Sequence, residues 1–218
     1  MKTSILSSLD PIPYFTLEAV KQLLGDESAA AGTVQTVLYR WMKAGHVFRL
    51  KKGVYMTRRF YELHRADLDF APAISSILIH QSYVSLEFIL QRHAILTDVT
   101  YPVSAVTFKQ TRLIANKLGI FTFRNIKKDL YNGFTISDYL GIPFSQASLA
   151  KALFDFLYLH PFRREAGSAR VNLPEDLRLD LADISAADRD EFAGYVEMSK
   201  SKKMERILER LRKTIWRL

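Results

Sequence analysis

Thr33-Val34-Gln35-Thr36-Val37-Leu38-Tyr39-Arg40-Trp41-Met42-Lys43-Ala44-Gly45-His46-Val47-Phe48-Arg49-Leu50-Lys51-Lys52-Gly53-Val54-Tyr55-Met56 is the stretch from which the fold of this chain is read. Val34, Val37, Leu38, Trp41 and Met42 recur at helical spacing, which predicts an amphipathic helix over about Gly32 to Lys43. Thr33, Thr36, Arg40 and Lys43 are three or four residues apart and share its other face; Gln35 is also polar, and Tyr39 lies beside that face. Ala44-Gly45 closes the helix. The period then changes: His46 to Leu50 reads as a strand, Lys51-Lys52-Gly53 as a turn and Val54 to Met56 as the returning strand.

Upstream, a short helix is expected from about Lys2 to Leu9, stopped by Asp10-Pro11-Ile12-Pro13. Thr16 is placed to cap a second helix carrying Leu17, Val20, Leu23 and Leu24, and Gly25 to end it. Asp26 to Ala31 separates it from the third. Three helices followed by a hairpin with a basic tip is the order of a winged helix-turn-helix, expected over residues 1–64. In that arrangement the third helix enters the major groove of double-stranded DNA and the hairpin touches the sugar-phosphate backbone. The expected contacts are Thr33, Gln35, Thr36, Tyr39, Arg40 and Lys43 on the helix, with Arg49, Lys51 and Lys52 on the hairpin. A polar helix face and a Lys-Lys-Gly turn also suit plain solvent exposure, and a winged helix used for protein contacts stays open.

Charge favours the DNA reading. The 218 residues carry a formal net charge of +8, and residues 1–60 hold nine Lys or Arg against four Asp or Glu. Residues 61–180 are almost balanced, thirteen against twelve. With 48% hydrophobic residues the chain is able to bury a sizeable core. No signal peptide or membrane span is visible, and there is no cysteine, so a soluble cytoplasmic protein is expected.

Residues 70–218 are expected to form a second, α+β domain with a mainly antiparallel sheet. Arg58 to Arg65 reads as a basic connector or an extension of the DNA contacts, and Pro72 as a new start. Helices are expected around Ile74, Ile77 and Leu78, and from Ser85 to Arg92. Val99 to Phe108 is strand-like, and Arg112 to Ala115 and Ile120 to Arg124 form a hairpin across Asn116-Lys117-Leu118-Gly119. Phe134 to Ile136 and Leu140 to Ile142 add short strands. Ala147 to Tyr158 is an apolar helix ended near Pro161. Met204, Ile207, Leu208, Leu211, Ile215 and Leu218 line a last helix, packed on its own domain or offered to a partner.

Catalytic chemistry is not indicated. Ser85 and Glu87 near His93, and Lys151 and Asp155 near His160, do not form a recognisable nucleophile and base by spacing. Gly119 and Gly133 are isolated, without a phosphate-cradling run. Asp129, Asp138 and Asp155 have no metal-ligand spacing, and the five histidines no zinc pattern. No enzyme activity, cofactor or metal is expected.

Several stretches resemble the AbiEi family of type IV toxin–antitoxin antitoxins, which are also abortive-infection transcriptional regulators. Thr33 to Tyr55 looks like that family's recognition helix and wing. Tyr83-Val84-Ser85-Leu86-Glu87 with His93 looks like the helix opening its second domain. Val106 to Arg112 and Leu118 to Ile126 are similar to its strand and hairpin. Ala147 to Asp155 resembles a helix carrying a proline and glutamate before Lys-Ala-Leu; here Leu149 and Ala150 stand in those places and Lys151, Ala152, Leu153 and Asp155 are kept. The resemblance implies a repressor that binds inverted repeats upstream of its own operon; because a single wing and recognition helix read only a short site, two copies are expected to pair on the inverted half-sites. It also implies a C-terminal domain that counteracts a nucleotidyltransferase-like toxin, stable contact not being required. A stand-alone winged-helix regulator, whose second domain serves dimerisation or ligand sensing, is the alternative.

Overall fold

The computed structural model describes residues 2–25, 31–97, 102–162 and 173–216. The chain begins with α1 (Lys2–Leu9), a two-residue strand β1 (Phe15–Thr16) and α2 (Leu17–Leu24). Thr16 caps α2 by accepting from the Ala19 amide at 3.3 Å, and Gly25, at φ 78°, ends it. The stretch expected as a spacer, Asp26 to Ala31, lies outside the described residues except for Ala31. The third helix, α3, spans Ala31–Lys43. Its end is closed by two bonds, Gly45 N–H to the Met42 carbonyl at 3.1 Å and His46 N–H to the Trp41 carbonyl at 2.9 Å. They require Gly45 at positive φ, here 75°.

β2 (Val47–Lys51) and β3 (Val54–Thr57) then form the expected antiparallel hairpin, and β1 adds a third strand along β3. Leu9, Phe15, Val20, Val34, Val37, Leu38, Trp41, Val47 and Tyr55 make one apolar cluster. Leu50 and Met56, from the same hairpin, belong to the larger cluster behind it. The hairpin is therefore sandwiched, with apolar side chains committed to both sides.

Arg58 to Arg65 is not a mere connector: Arg58–His64 forms α4, capped by Thr57, whose hydroxyl accepts from the Phe60 amide at 3.1 Å. There follow α5 (Phe70–Leu78), β4 (Tyr83–Val84), α6 (Glu87–Arg92), β5 (Val103–Thr107), β6 (Arg112–Asn116) and β7 (Gly119–Asn125). After a short 3-10 turn at Lys128–Leu130 come β8 (Phe134–Tyr139), β9 (Ile142–Ala147) and α7 (Leu149–Leu159). The last helices are α8 (Leu173–Leu177), α9 (Ala186–Ser199) and α10 (Lys202–Thr214).

Six strands form one sheet in the order β6-β7-β5-β4-β9-β8. The β6–β7 hairpin is antiparallel, as expected; β8–β9 and β4–β5 are antiparallel too, and Leu140-Gly141, read as the start of a strand, is the turn between β8 and β9. β5–β7 and β4–β9 run parallel, so the sheet is mixed, with three antiparallel pairings against two parallel ones, in keeping with the mainly antiparallel sheet that the sequence suggests. Two further details differ from the expectation. Tyr83-Val84, read as the start of a helix, is a short central strand flanked by β5 and β9, and the helix begins only at Glu87. Part of the strand expected over Val99 to Phe108 lies outside the described residues; the observed strand begins at Val103, and all five of its side chains are buried. In α10, Met204, Ile207 and Leu211 are buried, so the described part of the terminal stripe packs inward; Leu218 lies outside the described residues. Over the described residues the chain is an α+β protein with one three-stranded antiparallel sheet and one six-stranded mixed sheet. Among the described residues no helix is long and apolar enough to cross a membrane.

Candidate nucleic-acid interface

α3 turns Val34, Val37, Leu38 and Trp41 into the smaller core, leaving Thr33, Gln35, Thr36, Tyr39, Arg40 and Lys43 exposed. At about 100° per residue, Thr36 and Lys43 lie opposite the buried row, with Tyr39 and Arg40 on either side of them. Tyr39 is 60% exposed, which takes it out of the core margin and onto the polar face. The helix thus offers a hydroxyl-bearing ring, a guanidinium and an ammonium together on one side.

The hairpin next to α3 pairs Val47 with Thr57, Phe48 with Met56 and Arg49 with Tyr55. Between Arg49 and Lys51 the register shifts, and Gly53 turns the chain at φ 78°. Arg49 and Lys52 are exposed. Lys51 has a different position from its neighbour: it is half-buried, and its ammonium donates to the main-chain carbonyl of Ile77. Burial, and secondarily the charge of Lys109, pushes its pKa down. The expected pair of lysines at the tip is split into an exposed Lys52 and a Lys51 anchored on α5.

Among the described residues, Arg40, Lys43, Arg49 and Lys52 are not ion-paired with any carboxylate. The arginines that open α4 differ. Arg58 is bound to Glu62 at 2.5 Å, and Arg59 lies 3.6 Å from Asp10, so both already have counter-charges.

A second polar cluster was not legible as such in the sequence. Asp155 is completely buried, forms an ion pair with Lys151 one turn earlier on α7, and accepts from the hydroxyls of Tyr83 and Ser85, each at 2.8 Å. The Lys151 ammonium lies 5.0 Å from the centre of the Phe154 ring, 5.3 Å from that of Tyr195 and 5.5 Å from that of Tyr83. Burial pushes the lysine pKa down and the aspartate pKa up, each against the attraction of its partner. The Tyr83 hydroxyl is held far above its ordinary range, first by burial and then by the Asp155 charge. Gly133 closes the cluster: a Cβ there would lie 2.2 Å from the Tyr195 hydroxyl and 2.9 Å from Lys151 Cδ. The signal that pointed here was two opposite charges four apart on a strongly apolar helix. His160, weighed with them in the sequence, instead stands beside Lys203 and Arg124, and Asp129 and Asp138 are exposed. Among the described residues no group of three or more His, Asp or Glu side chains is arranged to hold a metal ion.

No family model matches the chain, and no curated protein matches it.

Proposed function

We propose that this chain is a DNA-binding transcriptional autoregulator, in which α1–α3 and the β2–β3 hairpin act as a winged helix-turn-helix on operator inverted repeats. The observation that carries the reading is the polar face of α3, where Tyr39, Arg40 and Lys43 are exposed opposite a fully buried row and beside a hairpin bearing Arg49 and Lys52. Such a helix brings donors to base edges and cations to phosphates, and a short basic hairpin adds backbone contacts. The charge excess of residues 1–60 supports the same partner.

Residues 70–218 are assigned the antitoxin role of a type IV system, antagonising a nucleotidyltransferase-like toxin in the cytoplasm. Support comes from the resemblance of Tyr83-Val84-Ser85 and of Lys151 to Asp155 to AbiEi antitoxins. These two stretches lie about seventy residues apart and meet on the Asp155 carboxylate. Residues shared with a family and gathered at one buried point suit the scaffold of a dedicated domain.

Two measurements on the full chain test this. Footprinting on the DNA upstream of its own gene is expected to protect paired, inverted half-sites. Co-expression with a nucleotidyltransferase-like toxin, sought among the adjacent genes, is expected to restore growth, and Arg40→Ala is expected to lose repression while keeping rescue. Operator binding without rescue leaves a stand-alone regulator; rescue without operator binding removes the DNA assignment.

A further inference from the structure

Four segments far apart in the sequence lie along the flank of the β2–β3 hairpin, and they bring lysines and one histidine but no carboxylate. Lys51 and Lys52 come from that turn, His80 from the loop between α5 and β4, Lys109 from the loop after β5, and Lys117 from the β6–β7 tip. The Asn116 side-chain amide donates to the Leu50 carbonyl at 3.4 Å, which sets the β6–β7 tip against the hairpin, and the Leu118 amide donates to Asn116 Oδ1 at 2.8 Å, which shapes the tip. Thr107 donates to the Gln81 carbonyl and accepts from the Lys109 amide at 3.2 Å. Asn125 donates from its side chain to the Lys109 carbonyl at 2.8 Å. The main chain carrying these cations is therefore tied down from several directions.

Lys52, Lys109 and Lys117 are exposed, and among the described residues none of them is ion-paired with a carboxylate. Their neighbourhood registers the excess: after burial, the charges of Lys51 and then Lys109 hold the His80 imidazole below its ordinary pKa. Lys117 sits at the β6–β7 tip and Lys109, held by Asn125, at the far end of that hairpin, about 20 Å away at roughly 3.3 Å per residue, so the cations form a spread basic surface whose field a polyanion complements. A single small anion is served by donors converging on one point. Separate ammonium groups on different turns of an open surface suit a row of phosphates instead.

We propose that Lys52, Lys109 and Lys117 form a backbone-phosphate site for double-stranded DNA that continues the footprint of the hairpin onto the six-stranded sheet domain. The inference rests on the DNA-binding reading above and extends it to residues outside the first sixty. Such contacts carry no sequence information, so they add affinity equally on any duplex.

The test uses the full-length chain and a fluorescent random-sequence duplex, with affinity measured over a potassium chloride series. The double variant Lys109→Ala/Lys117→Ala is expected to reduce the slope of log affinity against log salt by about 1.8, the value for two lost phosphate contacts. The loss is expected to be the same on DNA from upstream of the gene, and Lys109→Arg/Lys117→Arg is expected to restore the slope. A wild-type chain that binds the duplex while the alanine variant keeps the full slope overturns the site and leaves the DNA reading standing. Failure of the arginine variant to restore the slope also overturns it, because the loss then comes from shape and not charge. A wild-type chain with no salt-dependent duplex binding removes the DNA reading itself.

Discussion

Lys51 donates from its ammonium to the main-chain carbonyl of Ile77, in the last turn of α5. Carbonyls there have no partner within the helix, and a cation beside them is favourable both as a donor and against the helix dipole. Lys51 is thereby a strut between the hairpin and the larger core, whereas its neighbour Lys52 projects into solvent. The two lysines are expected to separate experimentally. Lys51→Ala is expected to lower stability by about 1 kcal/mol, somewhat below the roughly 1.5–3 kcal/mol of a charged hydrogen bond because the site is partly solvated. Lys52→Ala is expected to leave the urea midpoint unchanged and to reduce the salt slope of DNA binding by about 0.9. Equal urea midpoints for wild type and Lys51→Ala would remove the strut.

The Lys151–Asp155 pair predicts strong coupling. Both side chains are fully buried, so removing either charge strands the other, a loss of about 3–5 kcal/mol. Lys151→Met and Asp155→Asn are each expected to cause it. The double variant is expected to be more stable than either single one, since it buries no charge and the amide oxygen introduced by Asp155→Asn still accepts from Tyr83 or Ser85. A double-mutant cycle in urea checks this, and additive losses would show that the pair is not a unit.

The contrast between those two sites explains what the sequence makes legible. α2, α3, the β2–β3 and β6–β7 hairpins and α7 are set by local rules: apolar periodicity, Thr16 and Ser148 as caps, glycines at turns. Each can be read within a short window. β4 cannot, because two residues carry no period; Tyr83 and Val84 become strand only through β5 and β9, from distant parts of the chain. The parallel pairings have the same origin. α4 escaped because its seven residues, about two turns, bury only Phe60. In α9 the buried Phe192, Tyr195, Val196 and Ser199 are interrupted by a polar composition that reads as solvated. At the candidate interface, the exposed face of α3 follows from its own periodicity, but the fate of Lys51 depends on α5, twenty-six residues away.

His160 predicts loss of stability in mild acid. Its Nδ1 is buried without a partner among the described residues. Burial first, then the charges of Lys203 and Arg124, hold its pKa below the ordinary value, with Glu87 opposing. The unfolded chain therefore binds this proton more readily than the folded one, so the contribution is fully present above about pH 6.5 and is lost as the pH falls from there through the folded pKa. His80 is shifted in the same direction and adds to the trend. His160→Gln is expected to flatten, without abolishing, the fall in the urea midpoint below the imidazole range. An unchanged pH profile in that variant would show that His160 contributes nothing to it.

Arg40 and Lys52 define the division of labour across the proposed DNA interface. Arg40 sits on the exposed face of α3, beside Thr36 and Lys43, and its guanidinium has the fork geometry that matches two acceptors on a guanine edge. Lys52 sits at a turn and presents a single charge, which suits a phosphate. Arg40→Ala is expected to reduce the preference for operator over random DNA by about 1–3 kcal/mol, the value of one good bidentate base contact. Lys52→Ala is expected to weaken both equally. Trp41→Ala is unsuitable as a control, because Trp41 is only 7% exposed and belongs to the smaller core, so its truncation is expected to cost about 3–5 kcal/mol of stability. Tyr39→Phe is the better one: it keeps the exposed ring and removes only the hydroxyl, which separates a phosphate hydrogen bond from stacking. Affinities for both duplexes over a salt series, with circular dichroism to verify folding, distinguish these roles. If Arg40→Ala leaves the operator preference intact while Lys52→Ala abolishes it, the hairpin and not α3 reads the sequence, and the helix is reduced to a support.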